Sequence, residues 1–134
     1  MPKQSLSKKA FKKVKKKSVS WWKKKAWKVF SEFIRRRSGG VCYTCGYKTE
    51  WKNLQGSHYI PKSLSQNLLF NEINVQACCV RCNMWLLGNL DEFNRRLVLD
   101  YGQAEVDRLR LAKNVSKSWS IQELQNLIKK YELN

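Results

Sequence analysis

Acidic side chains are scarce in this chain: ten Asp and Glu stand against 27 Lys and Arg, a formal net charge of +17 over 134 residues. A compact domain gains no stability from such self-repulsion, so the imbalance points to a polyanionic partner. Long apolar runs are lacking too. None approaches the ~18 residues needed to span a bilayer, and the N-terminus has no apolar stretch of the kind that directs secretion. A membrane role and a small-molecule cofactor are therefore not expected, and a cytoplasmic location is. Histidine occurs once, at position 58. Cysteine occurs five times, which in a reducing compartment suits metal ligands or buried thiols better than disulfides.

The positive charge is unevenly placed. Residues 1–38 contain 15 of the basic side chains and a single acid, Glu32, whereas residues 39–134 are nearly balanced. The chain divides accordingly: a Lys-rich arm over 1–19, expected to be disordered until bound; a basic amphipathic helix over 20–38; a cysteine-bearing core over 39–89; and a helical scaffold over 90–134. Nucleic acid is the partner best matched to the arm and helix, through Lys12, Lys13, Lys15, Lys16, Lys17, Lys23, Lys24, Arg35, Arg36 and Arg37. An anionic membrane surface or an idle solubilising tail are the other readings of such a charge run.

Ser20 is placed to cap the first helix, and Trp22, Ala26, Val29 and Phe33 follow at helical spacing as one apolar stripe. Gly39-Gly40 stops it. Trp21 and Trp27 lie off that stripe, where they can stack on bases or pack on the core. Beyond Asn89 three helices are expected. The first has Phe93, Leu97 and Tyr101 on its inner face, and the second Val106, Leu109 and Leu111. The third opens with the capping box Ser120-Ile-Gln-Glu123 ahead of Leu124, Leu127, Ile128 and Tyr131.

Cys42-Tyr-Thr-Cys45-Gly46 and Cys79-Val-Arg-Cys82-Asn83 are two Cys-x-x-Cys knuckles 33 residues apart. Two intervening residues let both thiolates of a turn reach one tetrahedral ion at ~2.3 Å. Four thiolates close the coordination sphere, so the zinc they imply is structural, stabilising a core too small to stand alone. A thioredoxin-like role needs one such pair at a helix N-terminus, and two pairs argue against it. Cys79 keeps the x-x spacing to Cys82, which leaves Cys78 as the spare thiol.

A lone histidine is more often a satisfied polar residue than a catalyst, but the surroundings of His58 are specific. The chain reads Ser57-His58-Tyr59-Ile60-Pro61, then Asn74 five residues before Cys79, then Asn83 directly after Cys82. This resembles the zinc-bearing HNH, or ββα-metal, endonucleases, including the endonuclease VII-type resolvases. Phe70-Asn71-Glu72-x-Asn74-Val75, Gly88-Asn89, Tyr101-Gly102-x-x-x-Val106 and the helix ending Phe33-Ile34-Arg35 narrow the likeness to the NinG (Rap) recombination proteins of lambdoid phages. It covers roughly Ser20 to Tyr131.

The resemblance implies an α+β fold with a small zinc-stabilised ββα-metal (HNH) core between helices. It also implies a phosphodiester hydrolase acting on branched DNA such as Holliday junctions. His58 then acts as general base, since imidazole titrates near neutrality. Asn74 fixes either the loop or the imidazole. Asn83, with His58, offers a site for Mg²⁺ or Mn²⁺, which favour oxygen donors. Two departures stand out. Many HNH enzymes carry an acid where this chain has Ser57, with Asn89, Asp91 and Glu72 as candidate substitutes, and Leu86 stands where a Lys is common. Arg81, within the knuckle, can reach phosphate in compensation. A non-catalytic zinc-ribbon module that binds DNA or RNA is the alternative, and a protein–protein adaptor docking through the Trp-rich helix a third reading. A homodimer is compatible with either of the first two.

Overall fold

The computed structural model describes residues 16–132. Its elements run α1 (Val19–Arg37), β1 (Gln55–His58), β2 (Val75–Cys78), α2 (Leu90–Tyr101), α3 (Gln103–Ala112) and α4 (Ile121–Glu132). A 3₁₀ turn at Trp51–Asn53 precedes β1, and a π-helical turn at Arg81–Trp85 follows β2. The architecture is a small α+β one: a two-stranded antiparallel sheet with several helices around it. No helix among the described residues is long and apolar enough to cross a membrane.

α1 begins two residues earlier than the sequence suggested. Ser18, in extended conformation, accepts the Trp21 N–H on its Oγ at 3.1 Å, and Ser20 lies inside the helix. The expected inner stripe is also rotated. The buried positions are Ala26, Phe30, Ser31 and Ile34, while Trp22, Val29 and Phe33 are only partly covered. The cause is that α1 has two partners, α4 on one side and the hairpin on the other. Phe30 sits between them, edge-on to Phe70 at 5.8 Å and to Tyr131 at 4.9 Å. A helix covered on two sides buries a broader arc than a single stripe defines.

The hairpin is the geometric centre. Gln55, Gly56, Ser57 and His58 pair with Cys78, Ala77, Gln76 and Val75 respectively, and all four β2 residues are buried. Period-two alternation gives Gln55 and Ser57 one face and Gly56 and His58 the other. Gly56 allows a close approach: a Cβ there would lie 3.0 Å from the Trp27 ring and from Ser31 Oγ, tighter than ordinary contact. α1 therefore lies directly on the strand.

The C-terminal helices form a scaffold. Gly102, at φ 89°, ends α2 and starts α3 in one residue, a conformation that needs glycine. Phe93, Leu97, Val106 and Leu109 are buried as expected. Tyr101 and Leu111 are not; they are 39% and 71% exposed. In α4 the capping box forms, Ser120 Oγ and Glu123 Oε1 each accepting the other's backbone N–H at 3.1 Å. Leu124, Ile128 and Tyr131 then close over α1.

Candidate metal centre and basic cleft

The first knuckle is a tight turn. Cys42 N donates to Tyr47 O at 2.8 Å, Gly46 N to Cys42 O at 3.0 Å, and a bridge between Val41 and Lys48 closes it. Tyr43 N donates to Ala77 O at 2.8 Å, which docks the turn on β2. Cys79 follows β2 and Cys82 lies in the π-turn, so the four cysteines meet without long-range rearrangement. Their sulfurs all lie within 4.8 Å of one another, and Cys45 and Cys79 are 3.7 Å apart. A tetrahedron with ~2.3 Å metal–sulfur bonds has edges of ~3.8 Å. The donor set and its spacing therefore fit zinc.

Backbone and side-chain donors surround the sulfurs. Cys79 N points at Cys42 Sγ (3.2 Å), Cys82 N at Cys79 Sγ (3.5 Å) and Asn89 Nδ2 at Cys82 Sγ (3.6 Å). Such donors stabilise thiolates. The Cys42 thiol falls far below its usual range, chiefly because the buried Cys78 thiol donates to it. Cys78 moves the opposite way, for the same contact and its burial. It is thus a supporting group beside the cluster and outside the ligand set. Cys45 is pushed up to about 12 and Cys79 also upward, burial being the largest cause for each. Thiols crowded without a cation resist ionising together, and a dication supplies the missing charge.

Across the hairpin lies a cleft of 790 Å³, with His58, Trp27, Asn83, Lys23, Lys24 and Lys62 among its lining residues. His58 and Asn83 open onto this one cleft. The imidazole stacks on Trp27, with ring centroids 4.8 Å apart, and its Nε2 lies 3.1 Å from Leu69 O. A carbonyl only accepts, so Nε2 carries the proton and Nδ1 keeps the lone pair. The pKa is lowered, first by burial; the Leu69 carbonyl opposes this and Lys62 adds to it. The ring is therefore neutral at pH 7, which suits a base.

Asn74 takes the loop-fixing role and does not touch the imidazole. It is fully buried; its Oδ1 accepts Ile60 N at 2.8 Å, and its Nδ2 donates to Ile60 O and Leu68 O at 3.1 and 3.3 Å. The Leu68 bond anchors the residue next to the carbonyl that holds His58. Asn83 accepts the Ser57 hydroxyl on Oδ1 at 2.8 Å and donates from Nδ2 to Gln55 Oε1 at 2.7 Å. Gln55 was not anticipated, although its two-residue offset from Ser57 puts both on one strand face. Lys62 and the Leu69 carbonyl were also missed.

The substitutes considered for an acid at Ser57 are engaged elsewhere or lie outside the cleft. Glu72 binds Arg37 and Tyr131, Asn89 serves a cysteine sulfur, and Asp91 is exposed but not among the lining residues. Among the described residues, no carboxylate lines the cleft. Of the basic candidates, Lys23 and Lys24 line it, with Lys23 Nζ 3.0 Å from Gln66 Oε1. Arg37 instead braces α1 against β2 through Glu72, Val75 O and Gln76. Arg35 and Arg36 lie over Trp51 at 5.3 and 4.4 Å, and Arg36 also pairs with Glu32. Lys16, Lys17 and Arg81 are exposed. Lys12, Lys13 and Lys15 lie outside the described residues.

Together these features define an α+β protein whose hairpin carries a four-cysteine cluster able to hold a metal on one side and a basic, histidine-bearing cleft on the other. The chain belongs to the NinG family: the family described as Bacteriophage Lambda NinG protein matches residues 2–134. Protein ninG of Escherichia phage lambda is 32% identical over 116 residues, covering 84% of this chain and 55% of that protein. Its counterparts in Escherichia phage 933W and Salmonella phage P22 are 31% and 29% identical over the same length. The chain spans about half the length of these relatives. No solved structure matches it.

Proposed function

We propose that this chain is an HNH-type DNA endonuclease, assisted by Mg²⁺ or Mn²⁺ and directed to branched DNA such as Holliday junctions, in the cytoplasm of a phage-infected cell. β1, β2 and the Arg81–Trp85 turn make up its ββα-metal core. The observation that carries the reading is His58: neutral, fixed in one tautomer by Leu69 O, and opening onto a cleft with three lysines. Its Nδ1 takes a proton from the attacking water, and the Leu69 carbonyl and Trp27 keep the ring from turning. Lys23, Lys24 and Lys62 attract and neutralise the phosphate. The excess charge of the arm and α1 supplies sequence-independent affinity for DNA.

Asn83 Oδ1, a neutral oxygen donor that lines the cleft, suits a weakly held divalent ion that completes its shell with water and substrate phosphate. With Nε2 protonated, the single lone pair of His58 serves the water proton, so the ring is not also an ion ligand. When bound, that ion supplies Lewis-acid charge at the scissile phosphate. The carboxylate-free lining favours one other reading, a non-catalytic zinc-ribbon module that binds DNA or RNA.

Cleavage of a labelled four-way junction in Mg²⁺ or Mn²⁺ separates the two. His58→Ala is expected to slow cutting by about 10²–10⁴-fold, the range for loss of a general base. Zinc content and junction affinity should remain near the parent's. Cutting that survives the substitution removes His58 from the chemistry. A parent that cuts nothing with any divalent ion leaves the binding module.

A further inference from the structure

Met84-Trp85-Leu86-Leu87 are four successive apolar residues directly after the last cysteine and Asn83. Burial is the ordinary fate of such a run, yet these side chains are 59%, 80%, 41% and 84% exposed. Isolated exposed apolar residues need no explanation, but a contiguous patch marks a contact surface. Its exposure is built in. Cys82 is fully buried at the sulfur cluster, and Gly88 N returns to Cys82 O at 2.9 Å. Asn83 is held by Ser57 and Gln55. With those residues fixed, the turn cannot roll its apolar side chains inward.

Leu87 adds a second observation. Its φ is +52°, the left-handed region where a side chain is strained and glycine is not. The backbone bears that strain for a side chain that packs on little of the protein. Leu87 and Leu90 also form a lip of the basic cleft. Whatever occupies the cleft is thus within reach of the patch. With a net charge of +17, a second copy of the chain is a poor occupant, because self-association sets like charges against each other. A nucleic acid meets apolar side chains at its base faces, by stacking or by insertion at a base step.

We propose that the Met84–Leu87 turn is a wedge that places Trp85 and Leu87 against bases beside the phosphate held in the cleft. It inserts and unstacks bases most readily where stacking is already weakest, as at a branch point, and so favours branched over continuous duplex DNA. This rests on DNA as the partner of the cleft, and is independent of whether His58 cuts it.

The test uses His58→Ala as the parent, so that DNA stays intact, and a four-way junction with 2-aminopurine at the branch. Trp85→Ser and Leu87→Gly are compared with that parent; the second relieves backbone strain, and melting and zinc content check that both fold. Parent binding should raise the 2-aminopurine fluorescence severalfold. Trp85→Ser should abolish most of the rise and weaken junction binding roughly 10-fold, the size of one lost base stack, with duplex affinity within about twofold. Leu87→Gly should act in the same direction. An unchanged rise in both variants overturns the wedge. So does a parent that sediments as a dimer while the variants sediment as monomers, which would give the patch to a second copy. A parent that binds neither DNA overturns the DNA partner, and the wedge with it.

Discussion

The two sides of the β1–β2 hairpin gather side chains of opposite chemical kinds. On one side four sulfurs gather within 4.8 Å, with backbone and amide N–H groups aimed at three of them. On the other, the cleft is lined by the neutral side chains of His58 and Asn83, and the surrounding charge comes from lysines. The first arrangement can hold a dication on its own, because its ligands become anions. The second cannot do so strongly until an anionic substrate brings further oxygens. Only the sulfur cluster therefore has the ligands to hold an ion without a substrate.

The largest expected effect breaks the comparison at its strong side. Structural zinc contributes about 10–16 kcal/mol in small zinc domains, at least as much as the whole stability of a typical domain, about 5–15 kcal/mol. Cys82→Ser should therefore abolish zinc retention and the cooperative melting transition, since Cys82 is buried and also anchors Asn89 and Gly88. Metal analysis and circular dichroism would report both losses. A metal-free variant that melts like the parent would show that the hydrophobic core suffices and the sulfur cluster is incidental.

A smaller effect is expected where the cleft depends on the interior. Asn74→Ala removes three hydrogen bonds and strands the Ile60 N–H and carbonyl in a buried site, while Leu68 O keeps the Asn71 N–H. Unsatisfied buried groups cost about 1–3 kcal/mol each, so a loss of ~3 kcal/mol in urea denaturation is anticipated, with zinc retained. Because Asn74 anchors the residue beside Leu69, any cleavage activity should fall further than stability accounts for. A stability loss under ~1 kcal/mol would mean that the loop is held by other contacts, such as Trp119 Nε1 to Gln66 O at 2.9 Å.

How much of this was legible in the sequence follows from how local each interaction is. The two knuckles and the Ser120–Glu123 cap are read within four residues, and they assemble as spacing requires. The alignment of His58 with Asn83 was readable through register with the cysteines, and both do open onto one cleft. The face of α1 was misjudged because Phe30 is buried by Phe70 and Tyr131, which lie far along the chain. Arg37 reads as a phosphate contact until β2 is seen beneath it. The partner of His58 is a backbone carbonyl, which leaves no mark on the identity of Leu69, and the stacking of Trp27 depends on the missing side chain at Gly56. Charge density is legible in a sequence; which charges are already spent on the protein is not.

The smallest expected effect sharpens the weak side. Burial holds the His58 pKa in the folded chain below its ordinary value of 6.5, despite the Leu69 carbonyl. The unfolded chain then binds more protons than the folded one as pH falls through 6.5, so stability decreases with acidification. The contribution is complete above that value, and the loss continues down to the depressed folded pKa before levelling off. His58→Gln removes this term, and its melting temperature relative to the parent should rise between pH 7 and pH 5. A pH-independent difference would mean that the imidazole is as well solvated folded as unfolded. The ring, stacked on Trp27 and beside Lys62, would then lack the desolvation that the proposed base role draws on.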